Sequence, residues 1–397
     1  MRDFVSERAK NVKPSGIRKF FDLAAGRKDV ISLGVGEPDF ITPWYVRDAG
    51  ITALKNGYTQ YTSNKGLVEL RQEISRYIFE RFGVKFDKEE TVVTLGASEA
   101  IDLSLRATVD VGDEVLIPDP SYVSYAPCVS LSGGVPVAVP CRAENGFKLT
   151  AEDIEKVVTP KTKILVFPYP NNPTGAIMER EYVEKLIPTI LKHDLLVISD
   201  EIYAELTYGT EHCSIASFPE LAGRVVLIGG FSKAFAMTGW RIGFLCAPEN
   251  VFAAALKIHQ YAAICAPRFS QHAALAALKE GREDGYSSVC EMREEYDKRR
   301  RFMVGAFRRM GLDCFEPKGS FYVFPCVKNT GLSGEEFATE LLGEKQVAVV
   351  PGSAFGDCGK DHIRCSYAYS MENLKRATEK IAEFVSEIKR KHDNTEK

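Results

Sequence analysis

The sequence contains no C-x-x-C pair and no tract in which its 10 cysteines and 6 histidines cluster, so neither a zinc site nor a dithiol motif is indicated. The scattered cysteines read as reduced core residues, and no metal is expected. No apolar run reaches the roughly 20 residues that a membrane-spanning helix needs. The opening stretch MRDFVSERAKNVKPSG also lacks an apolar signal core. A cytoplasmic protein without a membrane partner is therefore expected. Charge of one sign is missing too: the formal net charge is −3, which gives no basic footprint for nucleic acid. Low-complexity segments, Pro/Ser linkers and short repeats are likewise absent. What is there is globular: 397 residues, 45% hydrophobic and 26% charged, enough for a large and a small domain.

Short β-rich runs alternate with helical patterns. TVVTL precedes SEAIDLSLRATV, DEVLIP precedes SYVSYAPCVSLSG, KTKILVFP precedes REYVEKLIPTILKHD, and LLVIS and VVLIGG follow. Such alternation predicts βαβ units in a mostly parallel, doubly wound α/β sheet. The large domain is expected over residues 46–287. The stretch SSVCEMREEYDKRRRFMVGAFRRMG then reads as one long charged helix leading into a second unit. Near the end, Leu374, Ala377, Ile381, Phe384, Val385 and Ile388 recur at helical spacing and predict a helix with one face on a core. Residues 1–45 have no βαβ pattern and are expected to join 288–397 in a small α+β domain, leaving a cleft suited to a small-molecule enzyme.

Several strand ends carry polar residues that a sheet alone does not need. GGFSKAFAMTGWRIG places Lys233 just past the run RVVLIGG, with Arg241 eight residues on. A lysine is usually a solvated surface residue. Buried at the carboxyl end of a strand, where open α/β sheets hold ligands, its lowered pKa would make it a nucleophilic amine suited to a Schiff base. LVISDEIYAEL ends a strand at Asp200, either a helix N-cap or a carboxylate able to keep a pyridinium nitrogen protonated. In PYPNNPTGAI, turn chemistry surrounds Asn172. TVVTLGASEAIDLSL predicts a helix starting at Ser98, whose free N–H groups form a phosphate site. It is not a Walker loop, and LGVGEPDF has Asp39 where a dinucleotide motif needs its third glycine, so a smaller phosphate ester fits better. Tyr122 in PDPSYVSY is a core residue or a ring that stacks on a flat cofactor. Arg241 can grip a phosphate, and Arg364 in HIRCSYA a carboxylate.

Together these motifs strongly resemble the pyridoxal-phosphate aminotransferases of class I, fold type I, from LGVGEPDF to HIRCSYA. IRKFFDLAAG, FAMTGWRIGF, PKGSFYVFP and VAVVPGSAFG are most similar to archaeal aromatic-amino-acid aminotransferases. The resemblance implies pyridoxal 5′-phosphate as cofactor, with Lys233 as the Schiff-base lysine and Asp200 as the partner of the pyridine nitrogen. Tyr203 and Asn172 would bind the phenolic oxygen. Ala97, Ser98, Ser232 and Arg241 would hold the phosphate, and Tyr122 would stack on the ring. Arg364, the Gly36 backbone and the Asn172 amide would clamp the substrate α-carboxylate. Tyr61, in YTQYTSNKG, would reach the neighbouring subunit's phosphate, which implies a homodimer with shared sites.

The implied reaction passes an amino group from an L-amino acid to a 2-oxo acid, with 2-oxoglutarate expected and Lys233 moving the Cα proton. Aspartate-using relatives often have a lysine where this chain has Ser98, which tilts the expectation toward aromatic donors. A C–S β-lyase is the nearest rival, and it would turn over without a 2-oxo acid. A transcription regulator on the same body would need a DNA-binding extension, whereas the shared pattern begins by about residue 17.

Overall fold

The computed structural model describes residues 2–14, 16, 17 and 29–395, with side chains described as far as Lys391. Apart from Ile17, the motif IRKFFDLAAG lies outside the described residues. Seven strands form the main sheet: β2 (Thr91–Thr94), β3 (Glu114–Asp119), β4 (Val135–Pro140), β5 (Thr162–Phe167), β6 (Leu196–Asp200), β7 (Val225–Gly230) and β8 (Gly243–Cys246). Their order is β2-β8-β7-β6-β5-β3-β4. Only β8 runs against its neighbours; the other pairings are parallel.

The apolar runs follow from burial on both faces. Along β5, Ile164 and Val166 pack with Val92, Ile101 and Phe252 on one side, while Leu165 and Phe167 pack with Val183, Leu186 and Ile190 on the other. Helices Gly96–Thr108 and Glu249–Ala262 cover the first face, and Arg180–Lys192 covers the second.

Two strands escaped the pattern. The β4 segment VPVAVP lies at the sheet edge, half exposed and proline-bearing, where a strand has no continuous apolar signature. Strand β8 opens on a glycine and adds only Phe244, Leu245 and Cys246, without the β-branched residues that mark the equally short β2. Three further expectations shift. The helix expected from Ser98 begins at Gly96. The helical pattern over 121–133 shrinks to Tyr125–Ser132, because Ser121 to Ser124 form the turn leaving β3. Of the cysteines expected in the core, only Cys141, Cys246, Cys314 and Cys365 are buried, and the other six are partly exposed; all ten are free thiols.

Beyond the sheet, helix Ser287–Arg309 is a single element, as its charge pattern predicts. Strand β1 (Ile31–Ser32) pairs with β10 (Val347–Ala348), tying the amino-terminal segment to the carboxyl-terminal one. A three-stranded antiparallel sheet has the order β11-β12-β9, from β9 (Tyr322–Val323), β11 (Val350–Pro351) and β12 (Ile363–Ser366). Leu374, Ala377, Ile381, Phe384, Val385 and Ile388 of helix Met371–Thr395 are all buried, in one cluster with Phe307, Phe321 and Phe337.

Candidate active site

Strands β2, β3, β5, β6 and β7 run the same way, so their carboxyl ends share one edge of the sheet, and a cleft of about 990 Å³ opens there. Lining it are Gly36, Ala97, Ser98, Tyr122, Asn172, Asp200, Tyr203, Ser232, Lys233, Arg241 and Arg364. Of the residues expected at the site, only Tyr61 is outside; it is 75% exposed on the surface of the chain.

Lys233 sits three residues beyond β7, and its Nζ donates to the Gly36 carbonyl at 2.7 Å. Burial disfavours the ammonium, and the guanidinium groups of Arg364 and Arg241 add to this, so the pKa falls to about 8 although Glu37 and Asp200 oppose the shift. Asp200 ends β6 and is buried. No helix follows it, so the N-cap reading fails; its Oδ1 instead accepts the Ile202 N–H at 3.2 Å. Its Oδ2 accepts the Tyr125 hydroxyl at 2.7 Å. Burial raises this carboxyl to about 6, against the opposing effect of those two hydrogen bonds. A cation placed beside Asp200 would restore its charge.

At one end of the cleft, Gly96 adopts a left-handed φ of +76° at the start of its helix. A Cβ there would approach Arg241 Nη2 to 2.9 Å, so the turn requires glycine twice over. Glu99 Oε2 accepts the Leu95 N–H at 2.6 Å, and its Oε1 lies 2.8 Å from Nδ1 of the buried His259. The Ala97 and Ser98 N–H groups belong to the first turn, which has no intrahelical acceptors for them. Arg241 is exposed and donates to the carbonyls of Thr238 at 2.9 Å and Leu95 at 3.3 Å.

The other end is built from distant segments. Arg364, on β12 and 2% exposed, donates to Asn172 Oδ1 at 2.9 Å and to the Gly34 carbonyl at 2.5 Å. Its Nε is buried without a hydrogen-bond partner among the described residues. The guanidinium lies over the Tyr322 ring at 4.4 Å. Sequence reasoning missed Tyr322, although PKGSFYVFP contains it, and also missed Tyr125, three residues after Tyr122; neither position has a local signal.

The arrangement offers a buried amine, a buried carboxylate, a helix start with free N–H groups and two guanidinium groups around one cleft. The model of the family described as aminotransferase class I and II matches residues 28–381. The chain belongs to that family. The aminotransferase is 51% identical to YugH of Bacillus subtilis, covering 97% of this chain and 99% of that one. It is 45% identical to an aspartate aminotransferase of Pyrococcus abyssi, over 97% and 99% of the two chains. The solved structure of an aromatic aminotransferase from Pyrococcus horikoshii superposes with a TM-score of 0.89 at 43% identity, covering 94% of this chain and 99% of that one. The aminotransferase therefore has the fold-type I architecture and depends on pyridoxal phosphate. The residues present fit that group: a phosphate-sized helix start, a buried carboxylate without a cationic hydrogen-bond partner and an amine biased toward neutrality converge on one cleft.

Proposed function

We propose that this aminotransferase takes the amino group from an aromatic L-amino acid and delivers it to 2-oxoglutarate. One observation carries the donor class. The described residues lining the cleft include three cations, Lys233, Arg241 and Arg364, and these are matched by an amine role, a phosphate and an α-carboxylate. No described cation is left over there to select a donor by a distal carboxylate, whereas Ile17 and Val35 offer apolar surface; 2-oxoglutarate would be held by its α-carboxylate at Arg364, with no ionic partner for its distal one.

Pyridoxal phosphate supplies an electron sink and a carbonyl that can carry an amino group. The chain supplies the rest. Lys233 would hold the cofactor covalently and, once freed, move the proton at the donor's Cα. Asp200, steadied by the Tyr125 hydroxyl, would keep the ring nitrogen protonated. Ala97, Ser98, Ser232 and Arg241 would grip the phosphate, and Tyr122 would stack on the ring. Tyr203 and Asn172 would donate to the phenolic oxygen. Arg364, with the Gly36 backbone and the Asn172 amide, would clamp the α-carboxylate of donor and acceptor alike. The cleft would lie between a domain of residues 46–287 and one of 1–45 with 288–397. Tyr61 would complete the partner's phosphate site in a cytoplasmic homodimer. The exposure of Ile41, Trp44, Tyr61 and Tyr261 supports such a contact.

Parallel kinetics on phenylalanine, tyrosine, aspartate, glutamate and alanine, with 2-oxoglutarate as acceptor, test the reading. Burying an aromatic side chain is worth about 1.5–3 kcal/mol, hence roughly tenfold to a hundredfold in kcat/KM over aspartate. A tenfold preference for aspartate would overturn it in favour of the activity for which the Pyrococcus abyssi relative is named. Turnover without any 2-oxo acid would point to an eliminating C–S lyase.

A further inference from the structure

We propose that Tyr322 is a positioning residue that joins the two grips of the site, strengthening Tyr203 as a hydrogen-bond donor and fixing the plane of the Arg364 guanidinium. The inference rests on the reading of Tyr203 as the partner of the cofactor's phenolic oxygen and of Arg364 as the α-carboxylate clamp.

Three contacts carry it. The Tyr322 hydroxyl is 3.0 Å from the Tyr203 hydroxyl, and both side chains are buried, Tyr322 being 1% exposed. Its ring faces Arg364 at 4.4 Å, on a guanidinium whose Nη1 and Nη2 are already committed to Asn172 and Gly34. Its hydroxyl also occupies the space that a Cβ on Gly36 would need, beside the carbonyl that receives Lys233 Nζ. One side chain thus touches residues from the amino-terminal segment, the turn after β6 and β12.

The direction of the tyrosine pair follows from donor counting. A phenol has one proton. If Tyr203 spends its proton on the cofactor, its oxygen is free to accept, and Tyr322 becomes the donor. A hydroxyl that accepts one hydrogen bond donates a stronger one, because the chain polarises cooperatively. Removing the Tyr322 hydroxyl would therefore leave the cofactor's phenolic oxygen less well stabilised and more basic. The ring acts separately: a flat aromatic face against a guanidinium restricts its tilt, and a clamp with two hydrogen bonds depends on that tilt.

The test uses the holoenzyme and the pH titration of its visible cofactor absorbance, together with KM for phenylalanine and 2-oxoglutarate. Tyr322→Phe keeps the ring and removes the hydroxyl. It is expected to move the titration midpoint upward, in the same direction as Tyr203→Phe but by less, with both KM values within about twofold of wild type. In the double variant Tyr203→Phe/Tyr322→Phe the midpoint should match that of Tyr203→Phe alone, because the hydroxyl of Tyr322 acts only through Tyr203. Tyr322→Leu, which loses the ring as well, should raise KM for donor and acceptor about tenfold. An unshifted midpoint in Tyr322→Phe, or a fully additive double variant, would overturn the proposal. So would a Tyr322→Leu enzyme with unchanged KM. If Tyr203→Phe itself leaves the titration untouched, the reading of Tyr203 has failed, and the proposal falls with it for that separate reason.

Discussion

The two ends of the cleft are made in different ways. At the phosphate end, the helix start at Gly96–Ser98 follows directly on β2, and Arg241 lies three residues from one of its two carbonyl partners, Thr238. At the carboxylate end, Arg364 meets Asn172 and Gly34 across 192 and 330 residues of sequence. The first end is exposed and rests on backbone geometry; the second is buried and rests on side chains from three segments. A locally built grip tolerates loss of one member because several N–H groups share the ligand. A grip built on one buried guanidinium does not.

Lys233 and Asp200 lie between the ends, so their loss should leave both grips standing. Lys233→Ala is expected to have the largest effect. Transamination should fall by on the order of 10²–10⁴, the contribution of one positioned acid–base group, and by more because the covalent hold on the cofactor is lost with it. Cofactor absorbance should survive gel filtration at least in part, and complete loss of cofactor would mean that the phosphate end holds nothing by itself. Asp200→Asn should lower kcat by on the order of 10²–10³ with KM little changed, the scale of losing one preorganised electrostatic partner. A near-normal kcat would reduce that carboxylate to a turn-former for Ile202.

The two arginines then separate the ends. Arg364→Leu should raise KM for every donor and for 2-oxoglutarate by about a hundredfold, from roughly 1.5–3 kcal/mol per charge-assisted hydrogen bond lost, while leaving cofactor affinity unchanged. Arg241→Leu should do the reverse, weakening cofactor retention by on the order of tenfold with KM values preserved, since an exposed ion pair is screened. Equal effects of the two variants on both quantities would erase the distinction. The smallest expected signal is in pH. Because Lys233 titrates near 8 and its neutral form is the nucleophile, capture of pyridoxal phosphate by the apoenzyme should accelerate with rising pH and level off above about 8. Acceleration continuing toward the ordinary lysine value of 10.5 would mean that the amine is not held in a desolvated site.

The same contrast separates what could be read in the chain from what could not. Alternating apolar runs and helical patterns in KTKILVFP and REYVEKLIPTILKHD predict the parallel sheet, because a strand buried on both faces must be continuously apolar. Half-exposed β4 carries no such signature, and β8 lacks the β-branched residues that mark the equally short β2. Lys233, Asp200, Ser98 and Asn172 are legible as candidates because each ends or follows a strand, and the carboxyl ends of parallel strands meet at one edge. The helix start was misplaced by two residues, since Gly96 enters with a left-handed φ that only the folded turn reveals.

Tyr125 and Tyr322 stayed hidden for a different reason. A tyrosine in an apolar stretch looks like core, and nothing near Tyr125 or Tyr322 in sequence announces Asp200 or Tyr203 as its partner. The apolar strands, the helices and the polar residues at strand ends can be read locally, because burial periodicity and turn chemistry act over a few neighbours. That Arg364 reaches Gly34 and Asn172, that Tyr322 lies between Tyr203 and Arg364, and that Lys233 is buried enough to lower its pKa to about 8 is visible only in the folded chain. Desolvation and hydrogen bonds between distant residues depend on how the segments pack, and packing joins positions that the chain order keeps apart.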